Sequence, residues 1–296
     1  MEQNMNSALQ SVTPPASVNR GGESNIGSLL LESGKITPEN AERVLRMQKE
    51  LGIRFGEAAQ RLGLINESDI QEILARQFDY PYLQPGAGKF SDKLVAAYQP
   101  FSPQVERLRA VRSQLMLRWM ARGHKSLVIA SVAPGEGASL FAANLAVVFS
   151  QLGEQTLLVD ANLRAPAQAR IFDLRNSQGL SDMLAGRVGR DAIAKIDSFV
   201  DLSVLSAGTL PPNPLELLSR STFATMSREL EAQYDTVLYD ASAFSIGSDA
   251  LAVASRIGGV LLVVRKNHTS VAEVHAATEQ LVQSGAQVVG SVLVDF

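Results

Sequence analysis

A glycine-rich turn, PGEGAS, joins the apolar stretch SLVIASVA (126–133) to LFAANLAVVFSQLG (140–153). The first reads as a buried strand, and the second as an amphipathic helix stopped by Gly153. Such a turn gathers backbone N–H groups at a helix N-terminus, where the helix dipole favours negative charge, so its chemistry is phosphate binding. Pro134, Gly135, Glu136, Gly137, Ala138, Ser139 and Leu140 are the expected contacts. The pattern G-x-x-x-x-G-K-[ST] is only partly met. Val132 stands at its first glycine and Ala138 at its lysine, while Gly135, Gly137 and Ser139 remain. Taken alone, the segment is equally a tight strand–helix turn without a ligand. Two further stretches change the balance: TLLVDANLRAP (156–166) delivers Asp160, followed by Arg164, and YDTVLYDASAF (234–244) delivers Asp240. Two carboxylates and a hydroxyl beside a phosphate loop are the oxygen donors that hold Mg2+. Ser139, Asp160 and Asp240 are therefore the expected metal set, and Asp160, Asp240 and Arg164 the expected catalytic residues.

These residues need a scaffold that brings three strand ends together. From Ser126 on, strands and helices alternate, as in a parallel sheet whose ligands sit at the carboxyl ends of the strands. LSVLSAGTLPPNPLELLSR (202–220) and IGGVLLVVRKNHTS (257–270) supply further strands. The expected fold class is α/β: a P-loop parallel sheet flanked by helices over 105–296, preceded by a small, mainly helical N-terminal domain. Composition narrows the function. Net charge is −3, so no global field recruits nucleic acid or anionic lipid. There is no cysteine, which excludes a disulfide scaffold, and His124, His268 and His275 lack zinc-site spacing. No apolar run approaches the roughly 20 residues of a membrane helix, so no direct membrane span is expected.

Residues 1–23 read as a disordered leader rich in Ser, Asn, Gln and Pro. Residues 24–83 contain a tandem repeat, NIGSLLLESGKITPENAERVLRMQ (25–48) and RFGEAAQRLGLINESDIQEILARQ (54–77). Gly27 matches Gly56, Gly34 matches Gly63, Ile36 matches Ile65 and Gln48 matches Gln77, each pair 29 positions apart. Each unit reads as a helix, a glycine stop, an isoleucine, a cap and a second helix. The stretch 78–104, rich in Pro, Gly and aromatics, reads as a linker in which the domain boundary falls, the first domain being set to end at 83 and the linker proper to span 84–104.

The segments from about 104 to 296 resemble the bacterial tyrosine kinases, a P-loop family related to MinD-type ATPases. SVAPGEGAS corresponds to that family's first phosphate motif, VDANLRAP to the second and LYDASAF to the third. The stretch with Ala207, Gly208, Pro212, Asn213, Pro214 and Glu216 carries the resemblance most specifically, together with Glu106, Arg109 and Arg112. The resemblance implies ATP or ADP with Mg2+ as cofactors, tyrosine autophosphorylation, and a homo-oligomer whose ring contacts run through Glu106, Arg109 and Arg112. The repeat resembles the MshEN domain of secretion and pilus ATPases, some of which bind cyclic di-GMP. In that case Arg54, Gly56, Gln77 and Gln48 carry over as the site, with Asn25 where the first arginine is expected. A helical docking module is the alternative. The combination resembles the EpsG-type kinases of exopolysaccharide export. These accompany a membrane-bound chain-length determinant, a polysaccharide co-polymerase, which implies a cytoplasmic protein held at the inner membrane by its partner.

Three departures bear on activity. Ala138 lacks the ammonium that reaches the phosphates, Asn162 replaces a second aspartate, and no tyrosine follows Tyr239 where the family has a phosphorylated cluster. Tyr80, Tyr82 and Tyr98 fall in the linker. An autokinase of weak activity and a kinase-like scaffold both remain open. A positioning ATPase of the MinD or ParA type is disfavoured by the Ala207–Glu216 stretch and the Glu106–Arg112 helix.

Overall fold

The computed structural model describes residues 22–77, 83 and 89–296. The leader apart from Gly22 and Glu23, and the linker tyrosines Tyr80 and Tyr82, lie outside these residues. The chain divides into two compact units, Met1–Asp79 and Tyr80–Phe296.

Among its described residues the first unit has four helices: α1 (Gly22–Glu32), α2 (Pro38–Leu51), α3 (Phe55–Arg61) and α4 (Glu67–Gln77). The repeat appears as two successive helix pairs. Its equivalent glycines, Gly34 and Gly63, have φ of 70° and 67°. This is the left-handed conformation that ends a helix and that a Cβ disfavours. Ile36 and Ile65 follow and are both buried. The second helix of each pair then starts at a side-chain cap. Thr37 Oγ1 accepts the Asn40 N–H at 3.3 Å. Asn66 and Asp69 cap each other, each side chain accepting the other's N–H at 2.9 Å. Leu30, Val44, Phe55, Ala58 and Ile73 close the small core. Lys35 ties the two halves by ion pairs to Asp69 and Glu72 at 2.7 and 3.2 Å.

The second unit is built on a seven-stranded sheet of order β3-β4-β2-β5-β1-β6-β7. The strands are β1 (Ser126–Ser131), β2 (Thr156–Asp160), β3 (Ala194–Lys195), β4 (Leu202–Leu205), β5 (Thr236–Asp240), β6 (Gly259–Arg265) and β7 (Gln287–Val294). All neighbours run parallel except the short edge pair β3/β4. The expected α/β class is therefore what the chain adopts. Alternate residues of β1 enter two cores: Leu127 and Ile129 one, Val128 and Ala130 the other. The first core is closed by α5 (Val95–Tyr98), α6 (Pro103–Arg118), α7 (Ala138–Ser150) and α8 (Gln168–Ile171). The second is closed by α9 (Leu180–Leu184), α10 (Pro214–Ser219), α11 (Ser221–Glu231), α12 (Asp249–Ile257) and α13 (Val271–Gln283).

The stretch expected as a linker is, from residue 89 on, part of this unit. Leu94, Ala96, Ala97 and Tyr98 are buried. Asn144 Oδ1 accepts the Ala96 N–H at 2.9 Å, and Gln151 Nε2 donates to the Ala96 carbonyl at 3.0 Å. The helix formed there is four residues long, too short to show a helical period among prolines and glycines.

Candidate nucleotide and metal site

The loop is shaped by where its glycines fall. β1 ends at Ser131, and α7 starts at Ala138 after Gly135 and Gly137 take φ of 81° and 79°. Pro134 and Gly135 are exposed at the tip. Ala138 is buried in the first turn of α7, among the core side chains Phe141 and Ala142. Glu136, expected among the loop contacts, is fully buried and turned inward. Its Oε2 accepts the Ala133 N–H at 2.8 Å, and its Oε1 accepts the Arg265 N–H at 3.1 Å and the Thr269 hydroxyl. One carboxylate thus ties the loop to the end of β6 and the approach to α13. The Pro134 carbonyl lies 3.3 Å from His268 Nε2. The Phe296 ring rests against Gly137, where a Cβ would stand 3.0 Å from it. The Arg265 guanidinium stacks over that ring at 4.3 Å. Leu140 lines a neighbouring cavity of about 420 Å³ with Arg107, Phe141, Val294 and Phe296.

The two aspartates meet because β2 and β5 are neighbours in register. Asp160 pairs with Asp240, and Ile129 of β1 lies opposite Asp240 on its other side. Both carboxylates are fully buried. Asp160 accepts backbone N–H groups of Ala167 and Gln168 at 2.9 Å and of Asn162 at 3.3 Å. Asp240 accepts the Ser139 hydroxyl at 3.1 Å and Gln168 Nε2 at 2.8 Å. Burial raises the Asp160 pKa, and its three backbone donors oppose that rise. Burial, and then the charge of Asp160, push Asp240 up to about 8, against the pull of Gln168 and Ser139. Ser139, Asp160 and Asp240 thus form one cluster at the mouth of the loop.

Arg164 is turned to a different carboxylate. Its guanidinium pairs with the buried Asp249 at the start of α12, the Nη2–Oδ1 distance being 3.1 Å. This ion pair joins the loop after β2 to the loop after β5. Gln168 and Asp249 were not foreseen from sequence. Asp249 lies 85 residues from its partner. Gln168 carries no charge, and its position two residues after Pro166, at the start of a four-residue helix, was the only signal. On α6, Glu106 is exposed and paired with Arg109, whereas Arg112 Nη1 donates to the Val148 carbonyl of α7 at 2.6 Å. At least one of the three expected interface residues therefore serves packing within the unit.

In the first unit, Gln48 lines a groove of about 400 Å³ with Gly27, Ser28, Leu31, Ala41, Leu45 and Phe55. Arg54 is exposed at the N-cap of α3, Gly56 faces Ile70, and Gln77 ends α4 with a buried Oε1. Of the four residues expected to share a site, only Gln48 lines this groove.

A glycine loop between strand and helix, with register-matched aspartates on neighbouring parallel strands, defines a P-loop α/β fold of the MinD type. A solved structure with that fold, the septum site-determining protein MinD of Pyrococcus horikoshii complexed with Mg-ADP, superposes with a TM-score of 0.51. It is 22% identical and the match covers 57% of this chain and 70% of that one, a likeness of fold. No family model matches the chain. The kinase domain of the Escherichia coli tyrosine kinase ETK superposes with a TM-score of 0.66 at 30% identity, over 69% of this chain and 80% of that chain. The tyrosine-protein kinase YwqD of Bacillus subtilis is 34% identical over 200 residues, 68% of this chain and 84% of the relative. The chain belongs to the bacterial tyrosine-protein kinase family. Among its described residues no helix is long and apolar enough to cross a membrane.

Proposed function

We propose that this chain binds ADP or ATP with Mg2+ at a phosphate loop that lacks a lysine. In this reading it works as a tyrosine autokinase of low activity in exopolysaccharide export, beside a membrane-bound chain-length determinant. The observation that carries the nucleotide reading is the cluster of Ser139, Asp160 and Asp240 beneath the loop. Among the described residues no group of three or more His, Cys, Asp or Glu is placed to hold a metal. Two carboxylates and one hydroxyl nevertheless fit Mg2+, which keeps waters and takes its remaining oxygens from phosphate. The buried, unpartnered Oε1 of Gln168 beside them is a further sign of a missing polar group. Bound there, the cation would offset phosphate charge. The protein's own part is to present loop N–H groups and the α7 N-terminus to phosphate, and to hold Ser139 and Asp240 at bonding distance.

Ala138 bears on affinity and rate. A charge-assisted contact of the missing kind contributes about 1.5–3 kcal/mol, roughly ten- to a hundredfold in affinity. Calorimetric titration of MgADP and MgATP into the protein and into Ala138→Lys tests the reading. Binding by both, tighter with lysine, supports a working nucleotide site. Binding only after Ala138→Lys favours the second reading, a kinase-like scaffold, and no binding by either refutes the nucleotide site. For the first unit we propose a sensor of cyclic di-GMP or a docking module. Arg54→Ala should abolish cyclic di-GMP binding, and unchanged affinity would remove the sensor reading.

A further inference from the structure

Gln168 is the residue that both aspartates share. Its main-chain N–H donates to Asp160 Oδ2 at 2.9 Å. Its side-chain Nε2 donates to Asp240 Oδ2 at 2.8 Å and to the Ser139 carbonyl at 3.0 Å. Both side-chain partners are acceptors, so the amide has one sensible orientation, with nitrogen toward them. That leaves Oε1 on the other side of the same carboxamide. This oxygen is buried and has no hydrogen-bond partner among the described residues, in a side chain with no exposure at all. Buried amide oxygens are nearly always paired, so a proton donor is expected against it when the site is filled.

The geometry points to Gln168 as a positioning residue for the divalent cation: Nε2 fixes Asp240 and the Ser139 main chain, and Oε1 accepts a hydrogen bond from a water carried by the metal. This inference rests on the reading that Ser139, Asp160 and Asp240 hold Mg2+. Mg2+ dehydrates reluctantly and retains several waters, whose protons need acceptors around the site. Asp160 Oδ2 already accepts two backbone N–H groups and Oδ1 one, which leaves room for the cation at Oδ1 but little for its waters. A neutral amide oxygen also suits the place better than a third carboxylate, which would add like charge to two buried ones. Outer groups of this type orient what they touch, and their loss typically weakens metal binding about 10–100-fold.

The test uses Mn2+ as the probe, read by electron paramagnetic resonance on the full chain with and without ADP. Wild type, Gln168→Met, Gln168→Glu and Asp240→Asn are compared. Gln168→Met keeps the length and the main-chain N–H but has neither amide atom, whereas Gln168→Glu keeps an acceptor and loses the donor. The expected result is Mn2+ binding about tenfold or more weaker in Gln168→Met, with Gln168→Glu weakened less. Without metal, Gln168→Met should melt lower than wild type, since it strands the buried acceptors of Asp240 and Ser139, and Gln168→Glu, which loses the same donor, should also melt lower; ADP affinity in EDTA should stay at the wild-type value in both. Mn2+ affinity within twofold of wild type, while Asp240→Asn loses it, would overturn the role of Gln168 and leave the metal site standing. Mn2+ binding weakened equally in Gln168→Met and Gln168→Glu would trace the loss to the missing Nε2 donor and reduce Gln168 to a structural brace. Absence of Mn2+ binding in the wild type would remove both the metal site and this residue's part in it.

Discussion

Asp240→Asn should make the metal-free protein more stable and the loaded one less so. Two buried carboxylates sit in register on strands spaced about 4.8 Å apart. Asp160 has three backbone donors, while Asp240 has one hydroxyl and one amide. With both ionised about 5 Å apart, an effective dielectric constant near 20 gives a repulsion of about 3 kcal/mol. Removing one charge while keeping the size of the side chain should recover about 1–3 kcal/mol at pH 8, part of it offset by the new amide N–H. For a unit of this size that is a rise in melting temperature of about 3–8 °C. The pH dependence follows from the direction of the shift. Asp240 is raised in the fold, so the native state holds its proton longer than the unfolded chain does. Metal-free stability should therefore fall as pH rises from about 4 towards 8, and Asp240→Asn should flatten that fall. Thermal scans in EDTA across this window, repeated with MgADP, measure both limbs. MgADP should stabilise the wild type more than the variant, which keeps only the response to ADP without the cation. A variant that melts lower than wild type in EDTA at pH 8, or that keeps its full response to MgADP, would refute the reasoning.

Glu136→Ala should destabilise by about 2–4 kcal/mol in urea unfolding, since it strands the Ala133 and Arg265 N–H groups and the Thr269 hydroxyl. Gly208→Ala should cost more than about 3 kcal/mol, or prevent folding. Gly208 has φ of 76°, and a Cβ there would stand 2.3 Å from Asp182 Oδ2 and 2.6 Å from the Gly179 nitrogen. Asp182 itself should stabilise at neutral pH and lose that effect as pH falls below about 4. Burial raises its pKa, but the Thr209 and Gly179 N–H groups and Arg187 outweigh burial and hold it low. Acid titrations of Asp182→Asn should show a shallower loss than wild type. Arg112→Ala should lower the stability of the unit by about 1.5–3 kcal/mol, because its bond to the Val148 carbonyl is lost. A variant that changes only the oligomeric state in ultracentrifugation would contradict this.

Much of the sheet was legible in the sequence because the features that encode it are local. SLVIAS and GVLLVVR are short apolar runs, and TLLVD and TVLYD each end at an aspartate; a strand buried on both faces has little else to be. The repeat in the first unit was legible for the same reason: Gly34 and Gly63 need left-handed backbone that glycine adopts freely. What stayed hidden depends on distant partners. Nothing near Glu136 says that a glutamate in a loop will be buried, because its donors lie 129 and 133 residues away. Arg164 looked catalytic next to Asp160, and only the fold reveals Asp249 as its partner. Residues 89–98 looked like a connector, since their anchors, Asn144 in α7 and Gln151 just past its end, lie about 50 residues on.

The inward Glu136 also has a consequence for the timing of ligand exchange. A loop held to β6 and the approach to α13 by three bonds from one carboxylate is already ordered before anything reaches it. Little chain entropy then remains to be lost on capture, so arrival should be limited by diffusion and access rather than by loop rearrangement. The Ala133 and Arg265 amides should accordingly exchange slowly with deuterium even in the empty protein, close to the rate of the surrounding strands. Departure, in contrast, should be fast where Ala138 offers no ammonium to hold the phosphates, which suits a protein that samples nucleotide rather than stores it.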